Sequence, residues 1–243
     1  MAFSGPIMKP FVALLSSLAL TAAVSAEELG QLLFEDNFER SESQEKSDEI
    51  GKGWGTNSKS RAKGNKQVDL RDGAMYIYIS SEADHAVSVT HPAEFTDGAV
   101  SLRFMLEDDK DSLGLDFADL GCKEVHAGHL FVARISPKQV TLQDLKTGSM
   151  RLDISEARKA KQKLTDEQQK AMEGKQKTFP SASKVGTWHD LVVKISGDEL
   201  SATIDGKNAG SFTAPGIAHP TKKMLRLSVP HNAVVDDVKI WKK

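Results

Sequence analysis

Six side chains of this sequence have the chemistry needed to hold a sugar. They are Trp54, Tyr76, Tyr78, Arg103, Asp116 and His129. Aromatic rings stack on the apolar faces of sugar rings, and Arg, Asp and His form directed hydrogen bonds with hydroxyl groups. The sequence therefore predicts that five of them form one ligand-binding surface, with Trp54 closing over it from a loop. A half-wet sheet face that binds nothing is the alternative interpretation.

Metal-ligating patterns are weak in this chain. The acidic run at 107–111 would attract a calcium ion, but it lacks the regular spacing and the distant bidentate Glu of an EF-hand loop. His126 and His129 stand three apart with Gly128 between them, which is not the His-Glu-x-x-His helix of a zinc hydrolase. We therefore expect no metal ion and no other cofactor.

Catalytic patterns are also missing. Glycoside hydrolysis needs two carboxyl groups placed across the sugar bond, about 5 Å apart in retaining enzymes. Acidic residues are frequent, yet none stands in a Glu-x-Asp-x-x-Glu strand pattern, and no Gly-x-Ser-x-Gly elbow or phosphate-binding glycine loop occurs. The candidate acids are Asp116, Asp119, Glu124, Asp190, Asp236 and Asp237. Binding without catalysis is the favoured interpretation.

Period-two alternation of apolar and polar residues dominates the chain and predicts half-buried strands. In the clearest example, Met75, Ile77 and Ile79 face one way while Tyr76 and Tyr78 face the other. Strands are predicted at 32–38, 74–80, 86–91, 100–106, 113–117, 129–135, 139–145, 191–195, 200–204, 225–229 and 233–241. So many short strands predict an all-β fold, a two-sheet antiparallel β-sandwich of the jelly-roll type.

Two segments interrupt the strand pattern. Residues 153–177 are rich in Ala, Lys, Glu and Gln, and capping boxes at Asp153 and Thr165 predict a short inserted helical pair at 154–164 and 166–173. We expect this pair to lie on the surface. Residues 41–67 are polar and lack periodicity, which predicts a long surface loop that carries Trp54.

The first 26 residues have the pattern of a secretory signal peptide. Lys9 supplies the positive charge, an apolar stretch covers 11–24, and Val24-Ser25-Ala26 is a small-residue cleavage site. The stretch is shorter than the roughly 20 apolar residues of a membrane span. We therefore predict a secreted or periplasmic protein, not embedded in the membrane, with one domain over 27–243.

Composition limits the partners. The formal net charge of −2 offers no electrostatic reason to expect nucleic acid as a partner. Cys122 is the single cysteine, so no disulfide can form within the chain, and the fold must depend on its apolar core.

Seven short segments together resemble the concanavalin A-like lectin and glucanase superfamily, the laminin-G-type jelly roll. They lie between residues 32 and 241: LFEDNF at 33–38, Gly53-Trp54, Asp72-Gly73, Gly128-His129-Leu130, WHDLVV at 188–193, LSATIDG at 200–206 and VDDVKI at 235–240. The chain is also similar to exported sandwich proteins and to 3-keto-disaccharide hydrolase-like domains. The resemblance implies two antiparallel sheets and a polysaccharide or oligosaccharide ligand. It transfers no catalytic residue, because the glucanase strand motif is absent, and the helical pair departs from the usual all-β pattern.

Three hypotheses follow. The first is an exported, non-catalytic carbohydrate-binding protein acting on extracytoplasmic glycans. The second is a glycoside hydrolase of the same fold, and the third is a cell-envelope module that binds protein. Fold alone does not decide among them, because this architecture supports many functions.

Overall fold

The structure, a computed structural model, describes Met1 and residues 29–243. The predicted signal peptide therefore lies outside the described residues except for Met1. Within the described part, 15 strands form two antiparallel sheets that pack face to face. Three short α-helices lie in the connections between strands. The predicted all-β jelly-roll sandwich is confirmed.

The first sheet has eight strands. Its strands, in chain order, are β1 (Gln31–Asp36), β3 (Val68–Arg71), β4 (Ala74–Tyr78), β6 (Gly98–Met105), β11 (His189–Ser196), β12 (Glu199–Ile204), β13 (Lys207–Thr213) and β15 (Asn232–Lys242). They are ordered β13-β12-β11-β6-β15-β4-β3 across the sheet, and β1 also pairs with β15.

The second sheet has seven strands. They are β2 (Gly55–Thr56), β5 (Val87–Phe95), β7 (Leu113–Ala118), β8 (His129–Ile135), β9 (Gln139–Asp144), β10 (Gln176–Pro180) and β14 (Lys222–Val229). Their order is β10-β9-β8-β7-β14-β5-β2, so β7 lies at the centre.

The core lies between the sheets and follows the predicted alternation. In β4 the side chains of Met75 and Ile77 are fully buried, while those of Tyr76 and Tyr78 face outward. In the second sheet Phe117 stacks on Phe131 with ring centroids 5.0 Å apart, in the middle of the core. Each buried aliphatic or aromatic side chain contributes about 1.5–3 kcal/mol, so this continuous core stabilises the fold without a disulfide.

The helices are α1 (Ser58–Arg61), α2 (Leu152–Lys159) and α3 (Asp166–Met172). The predicted helical pair is confirmed in α2 and α3, and the Thr165 capping box is present with Gln168 as its partner. The capping box predicted at Asp153 was wrong, because α2 begins at Leu152, so that Asp153 lies inside the helix and its carboxylate bonds Arg151 instead. No helix in residues 29–243 combines the length and the apolar character that a bilayer crossing requires.

The segment 41–67 is more ordered than its composition predicts. It contains β2 and α1, and buried carboxylates fasten it to the sandwich. Asp48 accepts hydrogen bonds from the backbone amides of Gln67 and Val68 at 2.7 and 2.9 Å, and Glu42 accepts one from Leu70 at 2.9 Å. Polar side chains that bond backbone amides hold this segment in place, a role that hydrophobic periodicity does not reveal.

Candidate functional site

The six predicted site residues lie in three different places. Tyr76, Tyr78 and Arg103 are on the outer face of the eight-stranded sheet, in β4 and β6. Asp116 and His129 are on the outer face of the seven-stranded sheet, on the opposite side of the sandwich. Trp54 packs in the interior. The structure therefore rules out one surface that includes all six. Alternation shows which side chains of a strand face outward, but it does not show to which sheet that strand belongs.

Asp116 and His129 meet Arg226, and these three residues form what we call the charged cluster. His129 Nδ1 lies 2.6 Å from Asp116 Oδ2, and Arg226 Nη1 donates to Asp116 Oδ1 at 3.2 Å. Arg226 Nη1 also lies 3.1 Å from His129 Nε2, and Arg226 Nη2 donates to the Ala127 carbonyl at 3.3 Å. Both oxygens of the Asp116 carboxylate thus have partners on neighbouring strands.

The cluster is tightly packed. Arg226 Nη1 lies 2.8 Å from His129 Nδ1, closer than to Nε2, so it contacts both nitrogens of the imidazole ring. The three side chains are only 6, 19 and 11% exposed for Asp116, His129 and Arg226. Charges so poorly hydrated remain stable only when paired, so the cluster holds itself in a fixed geometry.

Local backbone features bring the cluster together. Asp116 in β7 stands opposite Arg226 in β14. A bulge in the β7–β8 pairing, between Phe117 and Ala118, shifts the start of β8 so that His129 reaches Asp116. Gly128 precedes β8 with φ 72°, and a Cβ there would lie 2.5 Å from the carbonyl oxygen of Asp119. Glycine is required at this close approach.

Uncharged polar side chains flank the cluster on both sides. They pair in register with outward-facing residues of the neighbouring strands, starting from β7, β8 and β14, so their side chains face outward as well. On one side they are Ser88, Thr90 and Ser228; on the other they are Thr141, Gln143, Gln176 and Thr178. Along β7 the outward neighbours of Asp116 are Gly114 and Ala118, so no large side chain of that strand rises beside it. We call this surface, centred on the charged cluster, the seven-strand face.

The outer face of the eight-stranded sheet, here called the tyrosine face, is occupied by its own contacts. Tyr76 and Tyr78 stack with centroids 6.0 Å apart, and the Arg71 guanidinium lies 4.0 Å from the centroid of the Tyr76 ring. Arg71 Nη2 donates to Tyr78 Oη at 2.9 Å, and Arg103 lies over Trp188 at 4.9 Å. Burial, and then the nearby Glu107 carboxylate, raise the pKa of Tyr78 to about 12.

Trp54 is part of the core and does not close over either face. It is 9% exposed and packs against Phe34, Phe38 and His91. Its indole Nε1 donates to Asp36 Oδ2 at 2.9 Å. The role predicted for it, closing over the ligand-binding surface from a long surface loop, is incompatible with this packing.

Two acidic groups are already occupied by protein donors. Glu42, Glu45 and Asp69 converge, but the Lys66 ammonium lies within 2.8 Å of an oxygen of each. At the acidic turn 107–111, Asp111 accepts the amides of Glu107 and Asp108 at 3.0 and 2.9 Å.

Arg226 is the cluster member that the sequence prediction missed. It alternates with the apolar Leu225 and Leu227 of a predicted strand, which marks it as outward-facing. The sequence therefore indicated that Arg226 faces outward. Its pairing with Asp116 joins residues 110 positions apart and depends on the order of the strands in the sheet.

Comparison with solved structures identifies the architecture. A β-glucanase of Bacillus licheniformis superposes with a TM-score of 0.58 at 9% identity, covering 88% of this chain and 99% of that one. A laminarinase from Flavobacterium sp. UMI-01 gives 0.53 at 12% identity, covering 87% and 100%. A carbohydrate-binding module from Bacillus subtilis gives 0.50 at 12% identity, covering 76% and 93%. At such identities the likeness establishes the fold alone, a two-sheet jelly-roll sandwich. No model of a protein family and no curated protein matches the sequence.

Proposed function

We propose that this protein binds glycans outside the cytoplasm without cleaving them, and that the seven-strand face is its binding surface. The observation that carries the proposal is the charged cluster of Asp116, His129 and Arg226 on a sheet face whose flanking strands present Ser, Thr and Gln side chains. Structural neighbours named as a carbohydrate-binding module, a laminarinase and a β-glucanase support a glycan-related role. The predicted signal peptide supports export.

Glycan hydroxyls both donate and accept hydrogen bonds, and the cluster supplies both partners. The Asp116 carboxylate accepts, and the Arg226 guanidinium donates through N–H groups that Asp116 and Ala127 leave available. Hydrogen bonds to charged groups are the stronger kind, contributing about 1.5–3 kcal/mol each. Because the two side chains already hold one another in place, little side-chain entropy is lost when a ligand binds.

The arrangement of carboxylates favours binding over hydrolysis. The outward positions of β7 are Gly114, Asp116 and Ala118, so Asp116 is the single acidic side chain that this strand presents. Hydrolysis needs a second carboxyl group across the sugar bond. Asp119, the next acid along the chain, accepts from the Gly121 amide at 2.7 Å and lies 3.2 Å from His219 Nε2.

The tyrosine face is the less suitable surface. The Arg71 guanidinium already covers one face of the Tyr76 ring, at 4.0 Å from its centroid. A sugar ring would have to displace it in order to stack there. We therefore assign the tyrosines no part in the proposed site.

The test is binding of purified protein to a panel of neutral and acidic polysaccharides by affinity gel electrophoresis and calorimetry. Gln143→Ala and Arg226→Gln, both on the seven-strand face, should weaken binding, the latter about tenfold or more because a charge-assisted bond is lost. Tyr76→Ala, on the opposite face, is the matched control and should bind as the wild type does. Circular dichroism verifies that each variant folds. The proposal fails if the wild type binds no polysaccharide, or if only Tyr76→Ala weakens binding.

A further inference from the structure

One positive side chain of the seven-strand face, Arg134, has no acidic partner in the part of the chain that the structure describes. Arg134 projects outward from β8 and is exposed. Within residues 29–243 no carboxylate oxygen lies within ion-pair distance, 4.0 Å, of its guanidinium. The carboxylates of the adjoining depression are engaged elsewhere: Asp109 pairs with Lys138 at 3.0 Å, and Asp111 accepts backbone amides. Arg134 therefore presents an unbalanced charge.

A second group of basic side chains gathers at the other end of β8. The ring of His126 stacks on that of His129, with centroids 6.4 Å apart. Burial lowers the pKa of His126, and the charges of His129, Lys159, Arg226 and His85 lower it further. Protonated His126 is thus disfavoured by positive neighbours on β8, β14, α2 and the loop before β5.

The central carboxylate does not offset this charge. Both oxygens of Asp116 already bond His129 and Arg226, so its single negative charge is balanced within the cluster. Arg134 and His129 are five residues apart on one strand, a separation of about 17 Å at the rise of an extended chain. Basic side chains thus lie at both ends of β8, and a ligand touching both ends must span several sugar residues.

We infer that the ligand of the seven-strand face is an anionic polysaccharide, whose carboxylate or sulfate groups contact Arg134 at one end of β8 and His126 with Lys159 at the other. The inference rests on the proposed glycan-binding function and specifies its ligand class. Arginine suits both acidic groups, because its planar guanidinium bonds two oxygens at once. A neutral glycan would leave these charges unmatched.

A protonation change should accompany binding. An anion beside His126 favours the charged form of that ring, so complex formation raises its pKa and takes up a proton. Affinity should therefore increase as the pH falls from 8 to 6, and it should decrease with added salt because the contacts are between exposed charges. The groups that face His126 in this balance are His129, Lys159, Arg226 and His85.

The experiment compares polymers that differ only in charge. Calorimetry at low salt would use polygalacturonate against its fully methyl-esterified form, and dextran sulfate against dextran; the two pairs distinguish carboxylate from sulfate recognition. We expect the acidic member of at least one pair to bind at least tenfold more tightly. Arg134→Gln should remove most of that preference, about tenfold in Kd for loss of one charge-assisted contact. Lys194→Gln, on β11 of the other sheet, is the matched control and should leave it unchanged.

The outcomes separate the two claims. Equal affinity for acidic and neutral members, or tight binding of a neutral glucan such as laminarin alone, overturns the anionic ligand and leaves glycan binding intact. A preference for acidic polymers that survives Arg134→Gln together with Lys159→Gln also overturns it, because the charge would then lie elsewhere. Failure to bind any polysaccharide overturns both the inference and the proposed function.

Discussion

Asp36 anchors Trp54 and the segment around it, and its replacement should destabilise the fold by a predictable amount. Its carboxylate accepts two hydrogen bonds from Arg40, at 2.6 and 2.8 Å, and one from Trp54 Nε1 at 2.9 Å. Lys52 lies 3.2 Å away. Burial acts to raise the pKa of Asp36, but the hydrogen bonds from Arg40, the Phe38 amide, Trp54 and Lys52 outweigh it and lower the pKa to about 2.

The pKa shift sets the magnitude. A group with pKa 3.8 in the unfolded chain and about 2 in the folded protein contributes about 2 kcal/mol to the free energy of unfolding at neutral pH. Asp36→Asn removes this contribution and leaves Arg40 and Lys52 without their carboxylate, so we expect a loss of about 3 kcal/mol at pH 7. Because the folded-state pKa is the lower one, the contribution is present above pH 4 and is lost as the pH falls toward 2.

Urea unfolding of the wild type and Asp36→Asn between pH 7 and pH 3 measures both effects. The difference in free energy of unfolding should be constant at neutral pH and should shrink in acid. Asp190→Asn, an exposed carboxylate in β11, is the control and should change stability by less than about 0.5 kcal/mol. A difference below that level for Asp36→Asn, or one that does not shrink with acid, would refute the reasoning.

Two further changes test other parts of the fold. Burial lowers the pKa of Lys222 to about 8. Because the lysine stays charged in the unfolded chain up to about pH 10, the free energy of unfolding of the wild type should increase between pH 8 and pH 10. Urea unfolding of Lys222→Met should show no such increase. Gly128→Ala should lower the melting temperature and the affinity for glycan, since its Cβ would clash with Asp119. Gly174→Ala, with similar φ but open space around it, should cost only about 1 kcal/mol. Equal losses for the two glycine variants, or a Lys222→Met profile identical to the wild type, would contradict these assignments.

Hydrophobic alternation predicted most of the strands, and it missed four that lie at the ends of the two sheets. All the strands predicted from periodicity are present, including β4, β6 and β7. The short strands β2 and β3 and the edge strands β10 and β13 were not predicted. In β10 all but one of the residues are exposed and Pro180 ends the strand, so no apolar repeat marks it.

The candidate site was predicted residue by residue but not as an assembly. Asp116 has the outward orientation that alternation predicts. His129 has the same parity as the core residues Phe131 and Ala133, and the bulge after Phe117 turns it outward beside Asp116. Their separation from Tyr76 follows from which strands pair, and pairing depends on contacts between distant parts of the chain. Trp54 was misplaced because its partner Asp36 lies 18 residues earlier, beyond the reach of any local pattern.

The most direct test of glycan binding at the seven-strand face is to map the amide NMR shifts of the labelled protein as it is titrated with the tightest-binding oligosaccharide. The account predicts that the perturbed amides belong to β7, β8 and β14 around Asp116, His129 and Arg226, with little change in β4 and β6. Perturbations confined to β4 and β6 around Tyr76 and Arg103, or none at saturating oligosaccharide, would contradict it.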